Sequence, residues 1–126
     1  GALVAGMDAG LLYNEYPLMG DGLVPVEYGD AGLLDAFENP AAAQFHHRWI
    51  AVLAALAVAG LWVSGLQKGL GGLVHIMAVS VIIQFLLGLT TLLLGVPVWA
   101  GALHQAGAVL LLSLVLIVTH RLQAQQ

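Results

Sequence analysis

Residues 40–66, 73–94 and 98–120 form three apolar stretches that carry one charged side chain between them, Arg48. Each exceeds the roughly 20 residues that an α-helix needs to cross the hydrocarbon core of a bilayer. In lipid, every backbone amide and carbonyl must find its partner inside the protein, and a helix does so within a single segment. Composition agrees, with 60% of residues hydrophobic and 8% charged, against about 25% charged in soluble domains. The pattern predicts an all-α integral membrane protein, an antiparallel transmembrane helix bundle with three full spans. Residues 1–7, GALVAGM, are apolar but too short to cross. They read as the end of a preceding transmembrane helix, a fourth span, and so as part of a longer protein.

The punctuation between these stretches is local chemistry. Asn39-Pro40 is a helix start, because Asn caps free amide groups and Pro suits the first turn. Lys68-Gly69 and Gly71-Gly72 read as a tight turn, and Gly95-Val96-Pro97 breaks the second span from the third. Residues 8–39 form an acidic extracytoplasmic loop, with turn signals at Met19-Gly20-Asp21-Gly22 and Tyr28-Gly29-Asp30 and a short helix around residues 31–37. A connection of this length points to function. All seven acids (Asp8, Glu15, Asp21, Glu27, Asp30, Asp35, Glu38) precede residue 39, and all three bases (Arg48, Lys68, Arg121) follow it. Lys68 and Arg121 fall at one membrane face if the helices alternate, which makes that face cytoplasmic and the loop periplasmic; Arg48 lies at the other end. There is no cysteine, which excludes disulfides, thiolate zinc sites, iron–sulfur clusters and covalently attached heme. No basic groove for nucleic acid exists.

The segment QFHHRWIA, residues 44–51, opens the first span with a polar cluster. Polar side chains inside a membrane are costly and usually functional. Of the five histidines, His75 and His120 lie toward the cytoplasmic boundary and read as interfacial residues. His47 stands 21 residues before Lys68 and His104 stands 17 before Arg121, which places them roughly 32 and 26 Å from the inner boundary. The first and third spans run in the same direction, so two imidazoles come to nearly one height near the outer surface. Such a pair suits a flat metal macrocycle gripped through neutral imidazole nitrogen. Gln44, Ala51 and Ala54 share the His47 face, and Gly101, Gly107 and Ala108 lie beside His104, clearing room for a planar ligand or, alternatively, for close helix packing. Arg48 needs an anionic partner, either heme propionates or a salt bridge to Glu38 or Asp35. His46 projects about 100° from His47, toward the loop or a neighbouring helix, and is the alternative ligand. Gln84, Thr90 and Thr91 read as residues that bond helix to helix or to backbone, and Trp62 and Trp99 as interfacial tryptophans near opposite boundaries.

Four segments in series, GALVAGMDAGLLYNEYPLMGDGLVP, FENPAAAQFHHR, IIQFLLGLTTLLLGVP and LHQAGA, resemble the C-terminal half of the heme A synthases of mitochondria and alphaproteobacteria. The resemblance implies half of an eight-helix, two-bundle protein of the bacterial inner membrane, or the mitochondrial inner membrane in a eukaryote, with its C-terminus cytoplasmic. It implies oxidation of a ring methyl of the substrate heme O to the formyl of heme A, for terminal oxidase assembly. It also implies heme b as the cofactor of this half, with His47 and His104 as axial iron ligands and Arg48 and Gln44 at the cofactor. Its implied partners are membrane lipid, the N-terminal half of the same protein, heme O synthase and oxidase assembly factors. The catalytic glutamate of the other half lies closer to its histidine than Glu38 does to His47, so no catalytic residue is assigned, and this segment alone is expected to be inactive. Two other readings of the same residues stand beside this one. One is a membrane cytochrome b-type electron-transfer module, with a bis-histidine heme exchanging electrons with quinone; the other is a packing subunit whose histidines make ordinary hydrogen bonds.

Overall fold

The computed structural model describes residues 1–124. Helix α1 covers Ala2–Gly6 and leads into a 3-10 turn at Ala9–Leu11; a second 3-10 turn, Gly32–Leu34, runs into the one-turn helix α2, Asp35–Glu38. Three long helices follow: α3 (Pro40–Gln67), α4 (Gly71–Leu93) and α5 (Val98–Gln123). All three are long and apolar enough to cross a membrane, and no strand occurs among the described residues. The chain is therefore an all-helical, multi-pass membrane bundle, as its apolar runs require.

The start of α3 is fixed by Asn39, whose side-chain oxygen accepts from the amides of Ala41 at 2.9 Å and Ala42 at 3.3 Å, with Pro40 at the first helical position. Its end comes at Gly69, where a φ of +75° reverses the chain. Helix α4 then begins at Gly71, so the Gly71-Gly72 pair that the sequence suggests as part of the turn is helical. One left-handed residue is enough to reverse direction. At the other end, Gly95 and Val96 both take positive φ, +72° and +56°. That conformation is strained for a β-branched residue, and Val96 is seated on Gly10, where a Cβ would come 2.9 Å from Val96 Cγ2.

Helix α4 packs against both neighbours, and α5 touches α3 less. The apolar core lies at the Lys68 end, where Val58, Val74, Met77 and Val118 are buried together. Gly65 lets α3 and α4 close there, because a Cβ on Gly65 would overlap Val74. Only 11, 11 and 6% of the most apolar 18-residue windows of α3, α4 and α5 are buried. Most of their surface must therefore face lipid or other helices.

The opposite end is covered by the loop. Asp35 and Asn39 tie it into a knot: Asn39 Nδ2 donates to Glu27 O at 2.5 Å and to Asp35 Oδ1 at 2.7 Å, while the amides of Gly29 and Ala31 donate to the Asp35 carboxylate at 2.9 and 3.3 Å. Burial pushes the Asp35 pKa up, but these hydrogen bonds, with the nearby His46, outweigh it and hold the group below the usual carboxylate range. Tyr13 donates its hydroxyl to Glu27 at 2.7 Å; that bond lowers the carboxylate pKa and raises that of the phenol.

Candidate functional site

His47 lies two turns into α3 and His104 two turns into α5, both under the loop. Their ring centroids are 6.4 Å apart and their planes perpendicular. Among the described residues neither nitrogen of His47 makes a hydrogen bond, and His104 uses Nδ1 alone, toward Gln84. Imidazole nitrogen binds a first-row metal at about 2.0–2.1 Å, so two rings on opposite sides of one metal hold their centres roughly 6.3 Å apart. The observed spacing fits that requirement. No cluster of three or more His, Asp or Glu suited to a metal ion occurs among the described residues. A bare ion would find too few donors here, whereas the iron of a macrocycle would bring donors of its own.

His46 faces away from this pair. Its Nε2 lies 3.0 Å from the Tyr28 hydroxyl, and its ring packs edge-on to Tyr28 and Phe45. His75 accepts from Trp62 Nε1 at 3.2 Å, which couples α3 to α4 near the apolar core. His120 is exposed in the last turns of α5.

Gln44 and Arg48 share a face of α3 one turn apart, and both address the loop. Gln44 Nε2 donates to Tyr13 O at 2.9 Å, and Arg48 donates to Tyr13 O at 2.9 Å, Leu18 O at 3.0 Å and Pro17 O at 3.5 Å. The salt bridge from Arg48 to Glu38 or Asp35 is not formed among the described residues, because the guanidinium spends its terminal donors on carbonyls of residues 13–18. Arg48 Nε and Gln44 Oε1 are buried without a protein partner. Arg48 also borders a small cleft with Tyr16, Phe45 and Trp49.

The glycines beside His104 divide between the two expectations, open space and close packing. Gly101 faces open space, but Gly107 is filled by the Gln84 side chain, whose Oε1 a Cβ there would overlap. Gly88 on α4 provides the seat for His104, since a Cβ would come 2.7 Å from the ring's Cε1. Gln84 Nε2 lies 3.1 Å from His104 Nδ1 and donates to the His104 carbonyl at 2.8 Å. Reading Gln84 as a helix-to-helix bond is correct in kind, but that reading misses its partner. A glutamine in mid-helix with glycine at the fourth position after it was the available signal. Thr91 bonds its own helix, donating to Leu87 O at 2.7 Å.

The model of the COX15-CtaA family, described as cytochrome oxidase assembly protein, matches residues 1–116. Among curated relatives, a heme A synthase of Orientia tsutsugamushi (strain Boryong) is 41% identical over 122 residues, covering 94% of this chain and 34% of the relative. A heme A synthase of Caulobacter vibrioides is 44% identical over 119 residues (90% and 35%), and one of Sinorhizobium fredii is 44% identical over 120 (89% and 32%). The chain thus spans about a third of the length of these relatives. No solved structure gives a significant match. A family match over nearly the whole chain, on a membrane bundle that brings two histidines together, means that this chain belongs to the COX15-CtaA family of cytochrome oxidase assembly proteins.

Proposed function

We propose that this chain is the C-terminal, heme b-holding half of a heme A synthase, an oxidoreductase that converts a ring methyl of heme O to a formyl group. The observation that carries the reading is the 6.4 Å separation of the His47 and His104 rings. It brings together two residues 57 positions apart at a spacing suited to one iron. The names of the relatives supply the heme chemistry.

In this reading His47 and His104 would hold the iron through neutral imidazole nitrogen. The heme, when bound, supplies one-electron redox chemistry. Gln44 and Arg48 serve the site by holding residues 13–18 across the outer end of α3, which limits water access and fixes the height of His47. Oxidation of the methyl belongs to the whole protein, and the N-terminal half is the partner that this segment needs. We place the loop on the periplasmic side and the C-terminus in the cytoplasm, with heme O synthase and oxidase assembly factors as neighbours in the membrane.

The test is the reduced-minus-oxidised heme spectrum of the full-length protein. His47→Ala and His104→Ala each abolish the absorption of this half, while His75→Ala, whose ring pairs with Trp62, leaves it intact. Survival of the band in His47→Ala sinks the assignment. Heme extraction from cells supplied with heme O separates the synthase from a quinone-linked electron-transfer module, since only the synthase yields a formyl-bearing heme.

A further inference from the structure

We propose that the loop end of α3 and α4 carries a phospholipid site: the Arg48 guanidinium takes the phosphate of a lipid in the leaflet on the loop side, and one acyl chain lies in the groove between α3 and α4. The proposal is independent of what His47 and His104 bind.

Arg48 holds the loop with only part of its donors. A guanidinium has five N–H groups. Three are directed at the carbonyls of Tyr13, Pro17 and Leu18, which leaves Nε and one N–H of Nη2; Nε is buried without a protein partner. These carbonyls are neutral, and Glu15, on the same stretch of loop, is bonded instead to the Gly20 amide at 2.6 Å. A half-buried cation at a membrane boundary with no paired carboxylate calls for an anion. Its depth says which one. Arg48 stands 20 residues before Lys68, the residue that ends α3. That is about 30 Å along a helix, one hydrocarbon thickness. With Lys68 at one boundary, Arg48 lies at the level of the phosphates at the other, beside the exposed Trp49.

The surface around Arg48 has room for the rest of the molecule. Tyr16, Phe45, Trp49 and Val52 line the cleft that Arg48 borders. A second cleft, wholly apolar, lies between α3 and α4 at Ala55, Val81, Ile82, Phe85 and Leu86. Val52 and Ala55 are neighbours one turn apart on α3, and the Tyr16 ring of the first cleft meets Phe85 of the second edge-on, with centroids 6.1 Å apart. The two clefts therefore lie end to end. Polarity falls along them, from a cation with an aromatic rim at the boundary to hydrocarbon side chains below. An amphiphile with an anionic head and a long chain matches that order. A free phosphate would leave the groove bare, and a prenylquinone brings no charge to the guanidinium. Tyr16 and Pro17 also line the first cleft, so a bound lipid would touch both the loop and α3 and reinforce the closure of residues 13–18.

The experiment places full-length protein in phosphatidylcholine bilayers containing a phosphatidylglycerol with a photoreactive acyl chain, and reads the labelled peptides by mass spectrometry. Label is expected in segments 52–55 and 81–86. A photoreactive diacylglycerol, with the same chains and no phosphate, should label them about 10- to 100-fold less, as should phosphatidylglycerol in Arg48→Gln, the range for one lost charge-assisted contact. Arg48→Gln also frees the loop, so Ala55→Trp is the second variant. It fills the lower cleft, leaves Arg48 intact and should lose the label at 81–86, while Ala57→Trp, on an exposed position of α3, keeps it. Label that survives either Arg48→Gln or Ala55→Trp overturns the proposal, and so does equal labelling by the diacylglycerol. If ubiquinone or heme loading displaces the lipid, the guanidinium serves that ligand and the phospholipid site is refuted. If a photoreactive residue in place of Ile82 captures a helix of the same protein instead of lipid, the groove is a helix interface and the proposal fails.

Discussion

His104 rests against a residue with no side chain, Gly88 of α4. In Gly88→Ala the added methyl would lie 2.7 Å from His104 Cε1, 3.3 Å from Nδ1 and 3.4 Å from Nε2, where ordinary contact begins at 3.4 Å. The near edge of the ring must therefore withdraw by about 0.7 Å, well beyond the ±0.2 Å within which metal–ligand distances are held. The ring is not the far end of a flexible chain, because Gln84 anchors it at Nδ1 and α5 at its Cα. Overpacking of this kind costs about 1–3 kcal/mol. Spread over the heme-binding equilibrium, that is a loss of roughly 5- to 150-fold in affinity. Titrating heme into full-length apoprotein, with absorbance reporting affinity and spin state, reads the effect directly. Gly88→Ala is expected to bind more weakly and to lose low-spin character. Gly60→Ala, on α3 with nothing within 4 Å of the added methyl, is expected to match the parent. If Gly88→Ala keeps parental affinity and a low-spin spectrum, His104 is not a ligand held against α4.

The loop supports two further expectations. Arg48→Ala removes charge-assisted bonds to Tyr13 and Leu18 carbonyls, each worth about 1.5–3 kcal/mol; limited proteolysis should then cut within residues 13–18, and Arg48→Lys, a single point donor, should protect only in part. Asp35 has its pKa lowered on folding, so its contribution is complete above the usual carboxylate value near 3.8 and is lost as pH falls through the depressed value. Acidification below pH 4 should raise hydrogen exchange at the Gly29 and Ala31 amides, and Asp35→Asn should remove that pH dependence.

The membrane fold was legible because the bilayer imposes it. Runs without charge longer than a span have one structural outcome, and Asn39-Pro40 marks the start of α3 by chemistry that needs no tertiary context. The placement of Gly71-Gly72 was less legible, since glycine both turns chains and tolerates helices, and only the positive φ of Gly69 shows which residue makes the turn. The approach of His47 to His104 followed from counting residues to the inner bases, because rise per residue is constant in a helix. The fate of Arg48 did not follow. Its partners are main-chain carbonyls of a loop about 30 residues upstream, and carbonyls leave no mark in sequence. The occupant of Gly107 was not legible for a related reason: composition shows that space exists, but not that a glutamine from the neighbouring helix fills it.

The separation of the two histidines depends on more than the helices that carry them. Helix α5 is held chiefly by α4 and touches α3 less, and the buried apolar cluster lies at the far end of the bundle. A pair of adjacent loop residues adds a tie between α3 and α4 at the outer end of the bundle. Tyr13 offers its carbonyl to Gln44 and Arg48 of α3, while the Asn14 side chain donates to Leu92 O of α4 at 3.0 Å and to Gly10 O at 2.8 Å. Gly10 in turn seats Val96, between α4 and α5. Residues 10–14 therefore act as a brace between the His47 helix and the hairpin that carries Gln84 and His104. This accounts for a long polar loop on a small membrane bundle: three sparsely packed helices would otherwise have no rigid reason to keep two imidazoles 6.4 Å apart.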